Sequence, residues 1–289
     1  MPLLGWIVVF TALGGIASAA LASAFLLLPE RTSTRLLPHF VSFATGALLG
    51  AALLALLPEA MESVGADGAH GIGAALVVGL GVFFVIEKVV LWRHAHSHEG
   101  AANGQAPAQA GAHEHAHAHG HDHAHNHGHA HGHDHGYSPR DEAAGVLVLI
   151  GDSVHNVLDG ILIAAAFLQS RPLGLVTTFA VAAHEIPHRL GDFMLLVHSG
   201  MSQRRALLLN MATGLAAVLG GIGAYFALRR VLGLLPYALA LAAAGFLYIA
   251  VAGLIPALHR RADPRTSLAQ VALIGLGVGL IAWAESFVH

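Results

Sequence analysis

Apolar stretches long enough to cross a bilayer recur along nearly the whole chain, and this feature removes most folds from consideration. A membrane-spanning helix needs about 20 predominantly apolar residues. Such runs fall at 3–28, 38–57, 71–92, 143–168, 173–198, 206–228, 231–257 and 267–288. The pattern predicts an all-α polytopic membrane protein with eight transmembrane helices. Hydrophobic residues make up 55% of the chain, charged residues 11%, and the mean hydropathy is +0.65, far from a soluble domain. Abundant Ala and Gly suit close helix packing, whereas a transmembrane barrel would need short alternating segments. The lipid bilayer is thus the first partner, and nothing in the sequence points to nucleic acid.

The first span contains "ASAALASA", which has the small residues of a signal-peptidase site, but no Lys or Arg precedes it and its apolar run exceeds a signal sequence. It is expected to remain as a helix. The chain has no cysteine, so metal ligands must be His, carboxylate or amide. Loop charge sets the orientation, because Lys and Arg concentrate on the cytoplasmic side. Arg31, Arg35, Arg93, Arg140, Arg204, Arg205, Arg260, Arg261 and Arg265 follow helices one, three, five and seven, with Lys88 close by; Arg171, Arg229 and Arg230 fall on the other side. Both termini should therefore face out. The link after helix two, with Glu59, Glu62 and Asp67, would form an acidic outer mouth.

Composition divides the chain into 1–92 (helices one to three), a loop at 93–142, 143–198 (helices four and five) and 199–289 (helices six to eight). Within the loop, residues 94–135 hold fifteen histidines, twelve of them alternating through His113, His115, His117, His119, His121, His123, His125, His127, His129, His131, His133 and His135. With so few large apolar residues, this segment offers too little burial to offset ordering entropy, so disorder is expected. Its imidazoles would bind metal weakly, in a regulatory capacity.

Helices four and five carry polarity that an apolar span does not need. An ionisable residue at mid-membrane costs on the order of 2.5–3.5 kcal/mol even on a gentle scale, and is functional by default. In "VAAHEIPHRLGD" the i, i+4 spacing puts His184, His188 and Asp192 on one stripe, with Glu185 and Arg189 beside it. In "GDSVHNVLDG" His155 and Asp159 are i, i+4, Asp152 lies one turn earlier, and Asn156 is adjacent. The short link "QSRP" makes the two helices antiparallel neighbours. Counting about 1.5 Å per residue from each helix end, His155 and His184 both lie roughly 16–18 Å deep, in one layer. Three imidazoles and a carboxylate there suit Zn²⁺ first, with Fe²⁺, Mn²⁺ or Cd²⁺ as alternatives. Asp152 and Asp192, nearer the cytoplasmic side, and less clearly His198, would mark an exit path.

"HNVLDG" and "HEIPHRLGD" resemble the paired transport-site motifs of the ZIP family of divalent-metal transporters. "FVSFATGALLGAALLALLPEA", "FFVIEKVVLWRH" and "AGFLYIAVAGLIP" extend the resemblance over nearly the whole chain. It implies a three-two-three bundle with inverted repeats, termini outside, a His-rich cytoplasmic loop, and Zn²⁺ uptake toward the cytoplasm. For a bacterial-type member this means the inner membrane with periplasmic termini, and a homodimer is compatible with it. Carried over by position, the primary metal site is His155, Asp159, His184 and His188, and a second site would use Asn156 and Glu185. The chain departs from the family pattern at Ala51, Arg189, Gly253 and Ala257, where acids are common. Arg189 can pair with Glu185 and serve as an internal cation in place of a second metal.

Two other functions share part of this signature. HEIPH satisfies the HExxH zinc-protease pattern, with Glu185 as general base, and the LDG at 158–160 resembles a third-ligand motif of intramembrane proteases, but in the reverse order. A cation-diffusion-facilitator exporter would share His-rich loops, yet has six helices and inside termini.

Overall fold

The computed structural model describes residues 1–25, 30–99, 139–259 and 264–286, and every regular element among them is helical. The first apolar run forms α1 (Leu3–Ala12), a π-helical turn (Leu13–Ala17) and α2 (Ser18–Phe25). Next come α3 (Glu30–Gly50), a second π-turn (Ala51–Leu56), α4 (Leu57–Glu99), α5 (Pro139–Gln169), α6 (Arg171–His198) and α7 (Gln203–Leu228). A 3₁₀ turn (Leu232–Leu234) leads into α8 (Leu235–Tyr248), a third π-turn (Ile249–Leu254), α9 (Ile255–His259) and α10 (Pro264–Glu285).

Six described stretches are long and apolar enough to cross a membrane: Leu3–Ser23, Arg35–Lys88, Leu149–Gln169, Gln203–Leu228, Leu232–His259 and Thr266–Glu285. α6 is not among them, because its polar residues dilute its hydropathy. Arg35–Lys88 runs for 54 residues and is broken within α4 at Gly65 (φ 67°, ψ −174°). That positive φ is one glycine adopts without a Cβ clash. The expected open link after helix two is consequently helical apart from this break. The histidine-rich loop is also shorter than expected, since α4 continues to Glu99 and α5 begins at Pro139. His113 to His135 lie outside the described residues.

Two of the π-turns have a local cause. Pro58 and Pro256 each stand two residues beyond a π-turn. A proline lacks the N–H that would bond the carbonyl four residues back, and its ring crowds that carbonyl. The affected carbonyls, Leu54 and Ala252, lie inside the widened turns, where one extra residue relieves the crowding.

Small residues then let helices touch at backbone level. A Cβ on Gly160 of α5 would sit 1.9 Å from the Ala217 carbonyl oxygen of α7, and one on Gly220 would sit 2.2 Å from the Val157 oxygen. α4 and α8 meet through a side chain instead, with the Phe83 ring packed onto Gly245. The buried core is correspondingly rich in alanine, from Ala47, Ala51 and Ala52 through Ala164–Ala166 to Ala242 and Ala243, closed by Phe167 and Phe246. α6 starts cleanly: Ser170 caps it by accepting from the Leu173 N–H at 3.2 Å, with Pro172 in the first turn.

Candidate metal site

α5 and α6 present their polar stripes to each other. Nε2 of His155 and Nε2 of His184 are 3.3 Å apart. Asp159 Oδ2 stands 3.7 Å from the first and 3.6 Å from the second, and Glu185 Oε1 stands 3.5 and 3.8 Å from them. A tetrahedral Zn²⁺ with ligands at about 2.0–2.1 Å holds neighbouring ligand atoms about 3.3–3.4 Å apart. Five edges of this four-atom figure are therefore close to the size needed for such an ion. His184 is oriented for the task, since its Nδ1 lies 3.1 Å from the Ala180 carbonyl. An Nδ1–H donated there leaves Nε2 with a lone pair facing the cluster.

The hydrogen-bond pattern points the same way. Asp159 Oδ2 and Glu185 Oε1 are buried and have no hydrogen-bond partner among the described residues. Buried carboxylate oxygens are costly unless paired. Both belong to the four-atom figure, and a divalent cation at its centre would satisfy both.

The sequence-derived set of His155, Asp159, His184 and His188 is brought together in part. Glu185 takes the fourth corner, and His188 falls into a neighbouring group with Asp152 and Asp192. There His188 Nε2 lies 3.8 Å from Asp152 Oδ1 and 3.5 Å from Asp192 Oδ2. The two groups adjoin, because the rings of His155 and His188 are 5.3 Å apart.

Asn156 and Glu185, the pair expected at a second metal, are both engaged by Arg189. Its Nε donates to Glu185 Oε2 at 2.8 Å, Nη1 to Asp152 Oδ2 at 3.0 Å, and Nη2 to Asn156 Oδ1. Nη1 also lies within bonding distance of the Asn210 carbonyl (2.7 Å), Asn210 Oδ1 (3.0 Å) and Thr213 Oγ1. The guanidinium is fully buried. Its planar fork meets acceptors from three helices where a metal would otherwise need them. Asn210 and Thr213 escaped the sequence reading. The available signal was a lone Asn in the apolar run "LLLNMATG", as costly in a span as any other amide.

Access comes from one side. Side-chain exposure is 2% at Asp159 and His184, 22% at His155 and 47% at His188. A cavity of about 460 Å³ follows this gradient, lined by Asp152, His155, His184, His188 and Asp192 on one wall and by Phe83, Glu87, Tyr248 and Gly253 on the other. Tyr248 donates to Glu87 Oε2 within the second wall. His188 and Asp192 are one and two turns beyond His184 along α6, so the cavity opens toward the end of the bundle that bears Arg204 and Arg205.

A family model described as ZIP Zinc transporter matches residues 3–285. The chain belongs to the ZIP zinc transporter family. Among its relatives, zinc transporter zipt-7.1 of Caenorhabditis briggsae is 31% identical over 318 residues, spanning 96% of this chain and 78% of its own. Zinc transporter ZIP13 of Homo sapiens is 32% identical, spanning 87% and 71%, and zinc transporter SLC39A7 of Mus musculus is 37% identical, spanning 92% and 67%. This ZIP chain is accordingly an integral membrane protein that transports divalent metal, and it is not an enzyme. The protease and exporter readings of its motifs fall away. These relatives are animal proteins, so they place the chain in the family without marking a bacterial branch.

Proposed function

We propose that the protein carries Zn²⁺ across its membrane into the cytoplasm and binds it at His155, Asp159, His184 and Glu185. The observation that carries this reading is the pair of orphaned carboxylate oxygens facing two imidazole nitrogens at tetrahedral spacing. The names of the relatives support zinc as cargo. The donor set would also accept Fe²⁺, Mn²⁺ or Cd²⁺.

The reading counts eight crossings, taking Arg35–Lys88 as two separated at Gly65 and adding α6, whose polar stripes line the pathway. Loop charge supports termini outside, which in a bacterial cell means the periplasm across the inner membrane. The cavity beneath His155 then faces the cytoplasm, so the protein is in an inward-open state. Uptake proceeds by alternating access to a site near mid-membrane.

Zn²⁺ influx into liposomes holding the purified protein and a zinc-sensitive dye tests the proposal. Influx is expected in the wild type and is expected to disappear in Asp159→Ala. Equal influx in both would remove these residues from the transport site.

A further inference from the structure

Gln169 ends α5 at the side of the bundle away from the cavity mouth. It lies about 21 Å along the helix from His155 and immediately before Ser170, the cap of α6. It is therefore the tip of the hairpin that carries the candidate ligands. Its Nε2 donates to Glu59 Oε1 at 2.6 Å and to Ser63 Oγ at 3.1 Å. Ser63 Oγ in turn donates to the Glu59 carbonyl at 2.8 Å. Both acceptors stand on α4 before its break at Gly65, whereas Phe83 and Glu87, on the far wall of the cavity, come after it. One amide thus ties the hairpin to α4 at the end where the cavity does not open.

Between this tie and the candidate ligands the helices are sealed by apolar side chains. Leu56, Ile163, Phe167, Leu173 and Val181 belong to one packed cluster and are each at most 2% exposed. Thr177, on the stripe of α6 that holds His184, is fully buried in this interval, and its Oγ1 has no hydrogen-bond partner. A buried hydroxyl without a partner is costly, and water entering the interval would remove that cost. The seal therefore carries a penalty that packing and the Gln169 bonds oppose.

We propose that Gln169 is a latch whose bonds to Glu59 and Ser63 hold this end of the pathway shut and break each time the metal site turns to face it. The proposal rests on the alternating-access reading above, but not on its choice of ligands. An amide bonded to a carboxylate makes a charge-assisted hydrogen bond, so the latch biases the equilibrium. The corner is only partly buried, so water can take over both partners and the latch can also release. A bond made in one state and absent in the other shifts the balance between them by its own free energy, whereas a bond kept in both shifts nothing. That difference separates a latch from a structural tie.

The chain has no cysteine, so single introduced ones can report on the seal. Val181→Cys samples the sealed interval, and Leu196→Cys, buried in a separate cluster with Phe193 and Ala206, serves as the control. Each is labelled with a small polar thiol reagent in the full-length protein in detergent, with and without Gln169→Ala. The rate at Val181→Cys is expected to rise roughly tenfold, the scale of one hydrogen bond to a charged group, while the control rate stays as it was. Ser63→Ala, at an exposed position, and Glu59→Gln each weaken one bond and should give smaller rises of the same kind. Glu59→Ala combined with Gln169→Ala should add little to Gln169→Ala alone, because both remove the same contact. An unchanged rate at Val181→Cys in all three single variants would overturn the latch. Equal rises at both reporters would also overturn it, since the bonds would then be holding the fold as a whole. Labelling needs no metal, so Zn²⁺ influx that survives Asp159→Ala would overturn the ligand assignment and leave the latch standing.

Discussion

Asn210 and Arg189 are bonded in both directions. The Asn210 side chain accepts from Arg189 Nη1 through Oδ1 at 3.0 Å and donates through Nδ2 to the Arg189 backbone carbonyl, also at 3.0 Å. One amide on α7 therefore holds both the Arg189 side chain and the main chain of α6 one turn beyond Glu185.

The guanidinium is buried against Glu185, Asp152, Asn156, Asn210 and Thr213, so removing it leaves two buried carboxylates without their cation. Arg189→Ala should destabilise the protein by about 3–5 kcal/mol, the scale for removing one partner of a buried ion pair. Arg189→Lys should recover only part of this, since an ammonium cannot span the fork. Thermal unfolding in detergent, with chelator present, measures both. Equal melting of Arg189→Ala and wild type would mean the network is ornamental.

Arg189→Glu should go further and make stability depend on metal. The substitution exchanges the internal cation for a third carboxylate beside Glu185 and Asp152. A divalent ion is then needed next to Asn156 and Glu185, giving a site the wild type lacks. Anomalous peaks there, together with a melting temperature that rises on adding Zn²⁺, are the expected result. A variant as stable in chelator as in Zn²⁺ contradicts it.

His184→Ala should abolish Zn²⁺ influx without unfolding the bundle, because it removes one corner of the ligand set while the Ala-rich packing around α6 is untouched. Influx near wild type at normal protein levels would reassign the site. Glu185→Gln is a finer probe: it should retain some influx but weaken binding, since the amide still offers Oε1 without its charge.

Much of the candidate site was legible in the sequence, and for a simple reason. Helix rise is constant, so counting residues from two helix ends put His155 and His184 in one layer, and the structure has their nitrogens 3.3 Å apart. That Glu185 rather than His188 lies nearest the other three atoms was not legible. Spacing at i, i+4 fixes which side chains share a stripe, not how far each helix is rotated about its own axis, and rotation decides which stripe faces α5. Asn210 was missed because its role depends on a third helix, 21 residues beyond Arg189 in the chain. Bilayer-length runs were read correctly as helices, but the continuation of α4 to Glu99 crosses a compositional break that gives no stop signal beyond polarity.

Deleting residues 101–136 should leave basal influx in place, since the proposed ligands His155, Asp159, His184 and Glu185 all stand on α5 and α6. What should change is the response to rising Zn²⁺, because neutral imidazole is a common ligand for that ion and the segment is rich in histidine. Complete loss of influx in a deleted protein that still inserts would make the loop an obligatory carrier.

The contacts through Gly160 and Gly220 have a mechanical consequence. They lock α5 to α7 backbone to backbone, and Arg189 rivets α6 to both, so these three helices behave as one plank. α4 and α8, joined where Phe83 lies on Gly245 and by Tyr248 with Glu87, make a second. The cavity is the crack between the planks, with the ligands along one edge. A rocking motion can close that crack without prying apart a single glycine joint, whereas any hinge placed between α5 and α7 would have to.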